Sequence, residues 1–206
     1  MNKGIDVSHW QGEIDFEKVR AAGIEYAFIK STEGGTWQDK RFLTNFHAAK
    51  SSGVKAGAYH YFRGASSTPA QQRDNIVTML TEAQYDFFTD YFAIDVESHG
   101  NENVSPDRMA DKLHELLNLL LQEDILAEKP PLIYTSPEYW NNAVAGMRHH
   151  FSDYPLWIAH WYAEQPGLPL TWRQAGKSWT VWQYSSKGRV EGIEGDVDLD
   201  WMQFDQ

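Results

Sequence analysis

The stretch Tyr91-Phe-Ala-Ile-Asp-Val-Glu97 decides the reading of this chain, because it joins a short apolar run to two acidic side chains. Phe92, Ala93 and Ile94 read as the core of a buried strand spanning Tyr91 to Val96. Alternate side chains on a strand share one face, so Asp95 and Glu97 leave it together, their Cα atoms roughly 6.5 to 7 Å apart. A buried strand that ends in two carboxyls delivers them to the edge of a sheet.

Working outward toward the N-terminus, three more β-rich runs lie at Gly4 to Ser8, Tyr26 to Ser31 and Lys55 to Phe62. Segments of helical period separate them, near Phe16 to Ala22, Arg41 to Ser52 and Ala70 to Thr81, and this alternation predicts a parallel sheet. On the C-terminal side, Ser105-Pro106-Asp107 opens the longest helix, with Ser105 as N-cap and Pro106 at the first helical position. Its stripe of Met109, Leu113, Leu116, Leu117 and Leu120 is spaced to pack on that sheet. After Glu123 the rhythm changes. Pro131 to Thr135, Leu156 to Ala159, Thr180 to Tyr184 and Val197 to Trp201 read as four further strands with little helix between the last three. The expected fold is α/β: a single β/α barrel of about eight strands and about five helices, losing outer helices toward the C-terminus. The segments Ser98 to Val104, Ala163 to Ser178 and Ser185 to Asp196 all follow strands, which in such barrels is the catalytic rim.

The 206 residues, 42% hydrophobic and 14% aromatic, suffice for one substantial core, and no break in composition divides residues 1–206 into more than one catalytic domain. The formal charge of −11 argues against a nucleic-acid partner, since polyphosphate binding needs a basic face. Basic pairs such as Lys40-Arg41 are isolated and read as solvated helix surface. With no cysteine, neither disulfides nor thiolate chemistry is available. Even Leu116 to Leu121 is too short to span a membrane. Met1 to Trp10 runs straight into a strand pattern and leaves no room for a signal peptide, so the expectation is a removed leader or export by another route. A monomer is expected.

Chemistry gathers at the strand ends. Asp6, Asp95, Glu97 and Asp198 all lie there, and two carboxyls on one face push their pKa values apart, leaving one protonated and one ionised. Glycoside hydrolysis needs that division of labour, but an Asp-x-Glu pair alone also fits two solvated acids. Nine Trp and ten Tyr are more than a core of this size requires. Trp10, Tyr59, Tyr61, Tyr134, Trp161, Trp182 and Tyr184 lie near strand ends, where amphipathic rings can contact the C–H faces of sugars; Trp37 and Trp172 read as loop anchors. His9, His60, His99 and His160 also lie near the acids. Their spacing matches no compact ligand motif, so neutral hydrogen-bonding histidines are expected, with no metal and no cofactor. His149-His150 reads as surface. The residues alone leave open a metal-dependent polysaccharide hydrolase and a non-catalytic glycan-binding module.

As a set, these segments resemble glycoside hydrolase family 25, the muramidases. The similarity runs through Gly4-Ile-Asp-Val-Ser-His-Trp-Gln-Gly12, Phe28-Ile-Lys-Ser-Thr-Glu-Gly34, Tyr59-His-Tyr-Phe62 and Ala93-Ile-Asp-Val-Glu97. It continues in Ile133-Tyr-Thr-Ser-Pro137, Pro155-Leu-Trp-Ile-Ala-His-Trp161, Trp182-Gln-Tyr-Ser-Ser185 and Val197-Asp-Leu199. The resemblance implies a flattened barrel of eight strands and five helices that hydrolyses the β-1,4 bond from N-acetylmuramic acid to N-acetylglucosamine in peptidoglycan, acting on glycan strands at the cell wall. It implies Glu97 as general acid, Asp95 as its paired carboxylate and Asp6 and Asp198 as flanking acids, with Tyr59, Tyr134 and Trp161 near the cleaved sugar; Tyr61 and Gln183 are further candidates for binding substrate. Glu97 is expected to stay protonated beside its acidic neighbours. Asp95 is either the nucleophile or the support for attack by the substrate's own acetamido group. Chitinases of family 18 share the barrel and the Asp-x-Glu pair, but carry a further Asp where this chain has Ala93.

Overall fold

The computed structural model describes residues 1–126 and 129–203. Its strands are β1 (Asn2–Val7), β2 (Tyr26–Glu33), β3 (Trp37–Gln38), β4 (Lys55–Tyr61), β5 (Tyr91–Asp95), β6 (Leu132–Thr135), β7 (Leu156–Ala159), β8 (Val181–Gly188) and β9 (Val197–Met202). Its α-helices are α1 (Phe16–Ala21), α2 (Phe42–Ser51), α3 (Pro69–Glu82), α4 (Pro106–Leu120), α5 (Pro137–Ala143) and α6 (Leu170–Gln174). The strand order β1-β9-β8-β7-β6-β5-β4-β2, with β1 pairing back onto β2, closes an eight-stranded barrel; β3 is a short antiparallel addition to β2.

The expected α/β barrel is present, with three differences. Two short helices, α5 and α6, bring the described helices to six; at seven and five residues they carry too few turns for periodicity to reveal them. Strand β8 continues past Tyr184 to Gly188. Strand β9 runs antiparallel to both its neighbours, β8 and β1. The physical reason is the short link over 189–196, since a parallel return needs a crossover of a dozen or more residues.

Helix starts follow local chemistry. Thr68 and Gln71 form a reciprocal capping box ahead of α3, with Pro69 in its first turn. Ser105 holds the N-cap position of α4, although its side chain makes no capping bond; Pro106 and Asp107 supply the start instead. The α4 stripe of Met109, Leu113, Leu116, Leu117 and Leu120 is fully buried against the barrel. Trp172 is no loop anchor: it is buried in α6 against Trp140, ring centroids 4.8 Å apart, because its indole N–H reaches the Tyr154 carbonyl at 2.9 Å. Trp37 is partly exposed on β3.

The strands divide their side chains by parity between two cores. Ile5, Val7, Ala27, Ile29, Phe92, Ile94, Ile133 and Ile158 join the layer between barrel and helices, whereas Tyr26, Phe28, Ala93, Leu132, Trp157, Val181 and Met202 plug the barrel interior. Phe28 stacks on Trp157 at 4.4 Å, and Tyr134 meets the same indole edge-on at 4.8 Å. Such large rings fit because glycine faces them. A Cβ on Gly4 would lie 2.1 Å from the Tyr26 ring, and one on Gly57 would lie 2.6 Å from Phe28.

Candidate active site

Each inward-facing file of side chains climbs from this aromatic plug to one rim. On β5 the file is Tyr91, Ala93, Asp95 and then Glu97, just past the strand end. On β1 it is Gly4 and Asp6. On β9 it reads in reverse, Met202, Asp200 and Asp198, because that strand runs downward. The reversal matters: Asp198 is near the start of its strand, yet pairs directly opposite Asp6 near the end of β1. A cleft of about 400 Å³ opens above the plug. It brings together Asp6, Trp10, Tyr59, Tyr61, Asp95, Glu97, Tyr134, Trp161, Gln183 and Asp198, whereas Trp182 and Tyr184, also singled out from the sequence, do not line it.

Gln183 ties three walls of this cleft together. Its Nε2 donates to Asp6 Oδ2 at 2.7 Å, while its Oε1 accepts from Tyr134 Oη at 3.0 Å and from Trp161 Nε1 at 2.9 Å. The segment after β5 is held from behind by the buried Asn101, whose Nδ2 donates to the carbonyls of Glu97 (2.9 Å) and Phe62 (2.8 Å). The Asn101 Oδ1 accepts from Gly64 N at 2.8 Å. On the strand side, Val96 N donates to the Tyr134 carbonyl and Phe62 N to the Asp95 carbonyl, each at 2.9 Å. Glu97 is therefore carried on a backbone fixed on both sides.

The cleft floor is a cluster of carboxyls taken out of water, where burial disfavours their charged forms. Burial, followed by the Glu97 charge, raises Asp95 well above the usual carboxylate range. Burial and then the charges of Asp198 and Asp200 raise Asp6 in the same direction. Burial pushes Asp198 up to about 6 and Asp200 up to about 8. Tyr59 and Tyr134, partly buried and surrounded by the same acids, stay protonated as neutral donors. Lys30 brings positive charge into this field: it faces the cleft, draws Asp95 downward, lies 2.7 Å from Glu33 Oε2 and sits over the Tyr61 ring at 4.7 Å.

No histidine lines the cleft itself among the described residues, although His160 lines the adjoining hollow beside Glu97, Tyr134 and Trp161. His9 Nδ1 lies 2.9 Å from Asp39 Oδ2. His60 is buried between Thr32 and Gln72 and lowered to about 4, chiefly by burial, so it is neutral. His160 Nδ1 accepts from Gly167 N, and His99 meets Tyr61 through its carbonyl alone. His149 is half-buried rather than plain surface, stacked on His114 at 4.0 Å and paired with Asp111. Sequence reasoning passed over Lys30, Asn101, Trp157 and Asp200. Asp200 left a signal, since it stands two residues from Asp198 and shares its face; Asn101 left none, because its role depends on a loop conformation.

The sequence profile of the glycosyl hydrolases family 25 matches residues 5–193. Lysozyme M1 of Streptomyces globisporus is 32% identical over 197 residues, covering 95% of this chain. The chain spans 66% of that relative's length, just under two thirds. A bacterial lysozyme from Streptomyces coelicolor superposes with a TM-score of 0.85 at 30% identity, over 98% of this chain and 92% of that one. A muramidase from Acremonium alcalophilum gives 0.83 at 26% identity, over 100% and 95%.

Proposed function

Because the chain belongs to the glycosyl hydrolases family 25, we propose that it is a lysozyme of the muramidase type. It hydrolyses the β-1,4 bond between N-acetylmuramic acid and N-acetylglucosamine in peptidoglycan, as a single catalytic domain working as a monomer at the cell wall. The observation that carries this reading is the joining of Asp95 and Glu97 with Asp6 and Asp198 in one cleft walled by Tyr59, Tyr134 and Trp161.

In the proposed reaction, Asp95 and Glu97 hold one proton between them, since burial makes a second negative charge costly. Glu97, the less buried of the two, donates that proton to the leaving glycosidic oxygen and then, as carboxylate, takes a proton from the incoming water. Asp95 Oδ1 is buried and has no geometric hydrogen-bond donor among the described residues, apart from a proton shared with Glu97. This favours Asp95 as the acceptor for the acetamido N–H of the bound sugar over Asp95 as nucleophile. The acetamido carbonyl oxygen then attacks C1 as the glycosidic bond breaks, and Asp95 stabilises the positive charge on the resulting ring until water opens it. Asp6, Gln183 and Asp198 form the adjoining wall and orient sugar hydroxyls.

Glu97→Gln keeps the shape of the side chain and removes its proton. Reducing-end release from purified peptidoglycan is expected to fall by about 10²-fold or more. Near-normal hydrolysis by this variant contradicts the assignment. In the same assay, mass spectrometry of acid-quenched Asp95→Glu and parent enzyme is expected to show no sugar adduct on position 95. A trapped glycosyl ester there would make Asp95 the nucleophile.

A further inference from the structure

Among the described residues Trp10 is the most exposed large hydrophobic side chain, at 83%. A single exposed apolar side chain implies nothing by itself; what sets Trp10 apart is a braced mount at the edge of the cleft. The mount is the single 3-10 turn His9–Gln11, fastened at both ends. Ser8 and Gln11 form a reciprocal capping box, with Trp10 N donating to Ser8 Oγ and Ser8 N donating to Gln11 Oε1 at 2.8 Å. His9 is anchored to the buried Asp39 through both its backbone N and its ring Nδ1, each at 2.9 Å from Oδ2. The Trp10 ring rests against His9 with centroids 4.7 Å apart, and His9 in turn rests against Trp37 at 5.4 Å. Trp10 lies in neither apolar core. It does line the cleft that holds Asp95 and Glu97, and its exposure sets it at the open edge of that cleft, away from the buried acids.

We infer that Trp10 is a stacking platform for a hexosamine ring of the bound glycan strand, one that lies outside the sugars flanking the cleaved bond. The inference rests on the reading of the cleft as a glycan site and adds an occupant for its outer end. An indole held flat and rigid presents an apolar face to the axial C–H groups of a sugar while costing little conformational entropy on binding. The neighbouring acids suit this ligand, because a neutral hexosamine offers hydroxyl and amide donors to carboxylates and brings no opposing charge. Polymeric strands reach the platform, and the shortest cleavable fragments do not.

The test compares parent enzyme, Trp10→Ala and Trp10→Phe on two substrates: long glycan strands from purified peptidoglycan, and the shortest strand fragment that the parent cleaves. Trp10→Ala is expected to raise KM on long strands about 3- to 10-fold, the loss of one aromatic contact, with kcat within about twofold. On the shortest fragment both constants should match the parent, and Trp10→Phe should recover most of the KM on long strands. Unchanged KM on long strands overturns the inference, as does an equal loss on both substrates, which would assign Trp10 to the cleaved bond itself. A parent enzyme inactive on both substrates fails the glycan reading instead. Because the indole is exposed, the variants keep the fold, which a matching thermal transition verifies.

Discussion

Asp200 has almost no contact with solvent. It is 1% exposed, one carboxyl oxygen accepts the Trp157 indole N–H at 2.9 Å, and the other has no donor among the described residues unless a proton is shared with Asp6. Its pKa of about 8 in the folded chain lies above the roughly 3.9 of a free aspartate. Between those values the folded state keeps a proton that the unfolded chain has released, so stability falls as pH rises through the window. Asp198, at about 6, acts with the same sign over the lower part of it. Thermal unfolding is therefore expected at a lower temperature near pH 8 than near pH 5. Asp200→Asn keeps an acceptor for Trp157 and removes the ionisation, so it should flatten this slope and stabilise the protein near pH 8 by a few kcal/mol. Equal pH slopes for parent and variant would contradict the buried-acid account. The face-sharing logic that picks out Asp95 and Glu97 applies equally to Asp198 and Asp200. The sequence reading named Asp198 and passed over Asp200, because nothing in the Val197 to Trp201 run shows that the strand descends from the rim and carries its second acid into the barrel.

At the scale of the element, two devices set the site. The antiparallel course of β9 sends Asp198 to the rim and Asp200 beneath it, and the strand closes the barrel by pairing with both β8 and β1. The loop after β5 is fixed by Asn101, which takes up two carbonyls and one N–H. Asn101→Ala leaves those groups unpaired in a buried place and should cost about 2–4 kcal/mol of stability. Because one carbonyl belongs to Glu97, kcat should fall while KM changes little, measured well below the lowered melting temperature. A stability loss with unaltered kcat would make Asn101 a scaffold residue alone. Strand positions and the long helix α4 were legible because burial imposes a period on the sequence. Helices α5 and α6, the direction of β9 and the Asn101 clamp were not, since each depends on link length or loop geometry rather than on period.

For the whole molecule, the formal charge of −11 gives long-range repulsion from an anionic polymer. Screening should relieve it. KM on intact anionic walls is expected to fall as salt rises from about 10 to about 150 mM; a KM that rises would point to an attractive patch instead. No described helix is long and apolar enough to cross a membrane. The central claim is that the barrel rim gathers its acids around one particular glycosidic bond, and the products report that bond directly. Purified peptidoglycan digested with the parent enzyme and analysed by mass spectrometry should yield muropeptides that end in reducing N-acetylmuramic acid. Fragments ending in reducing N-acetylglucosamine, or in an anhydro sugar, would contradict it.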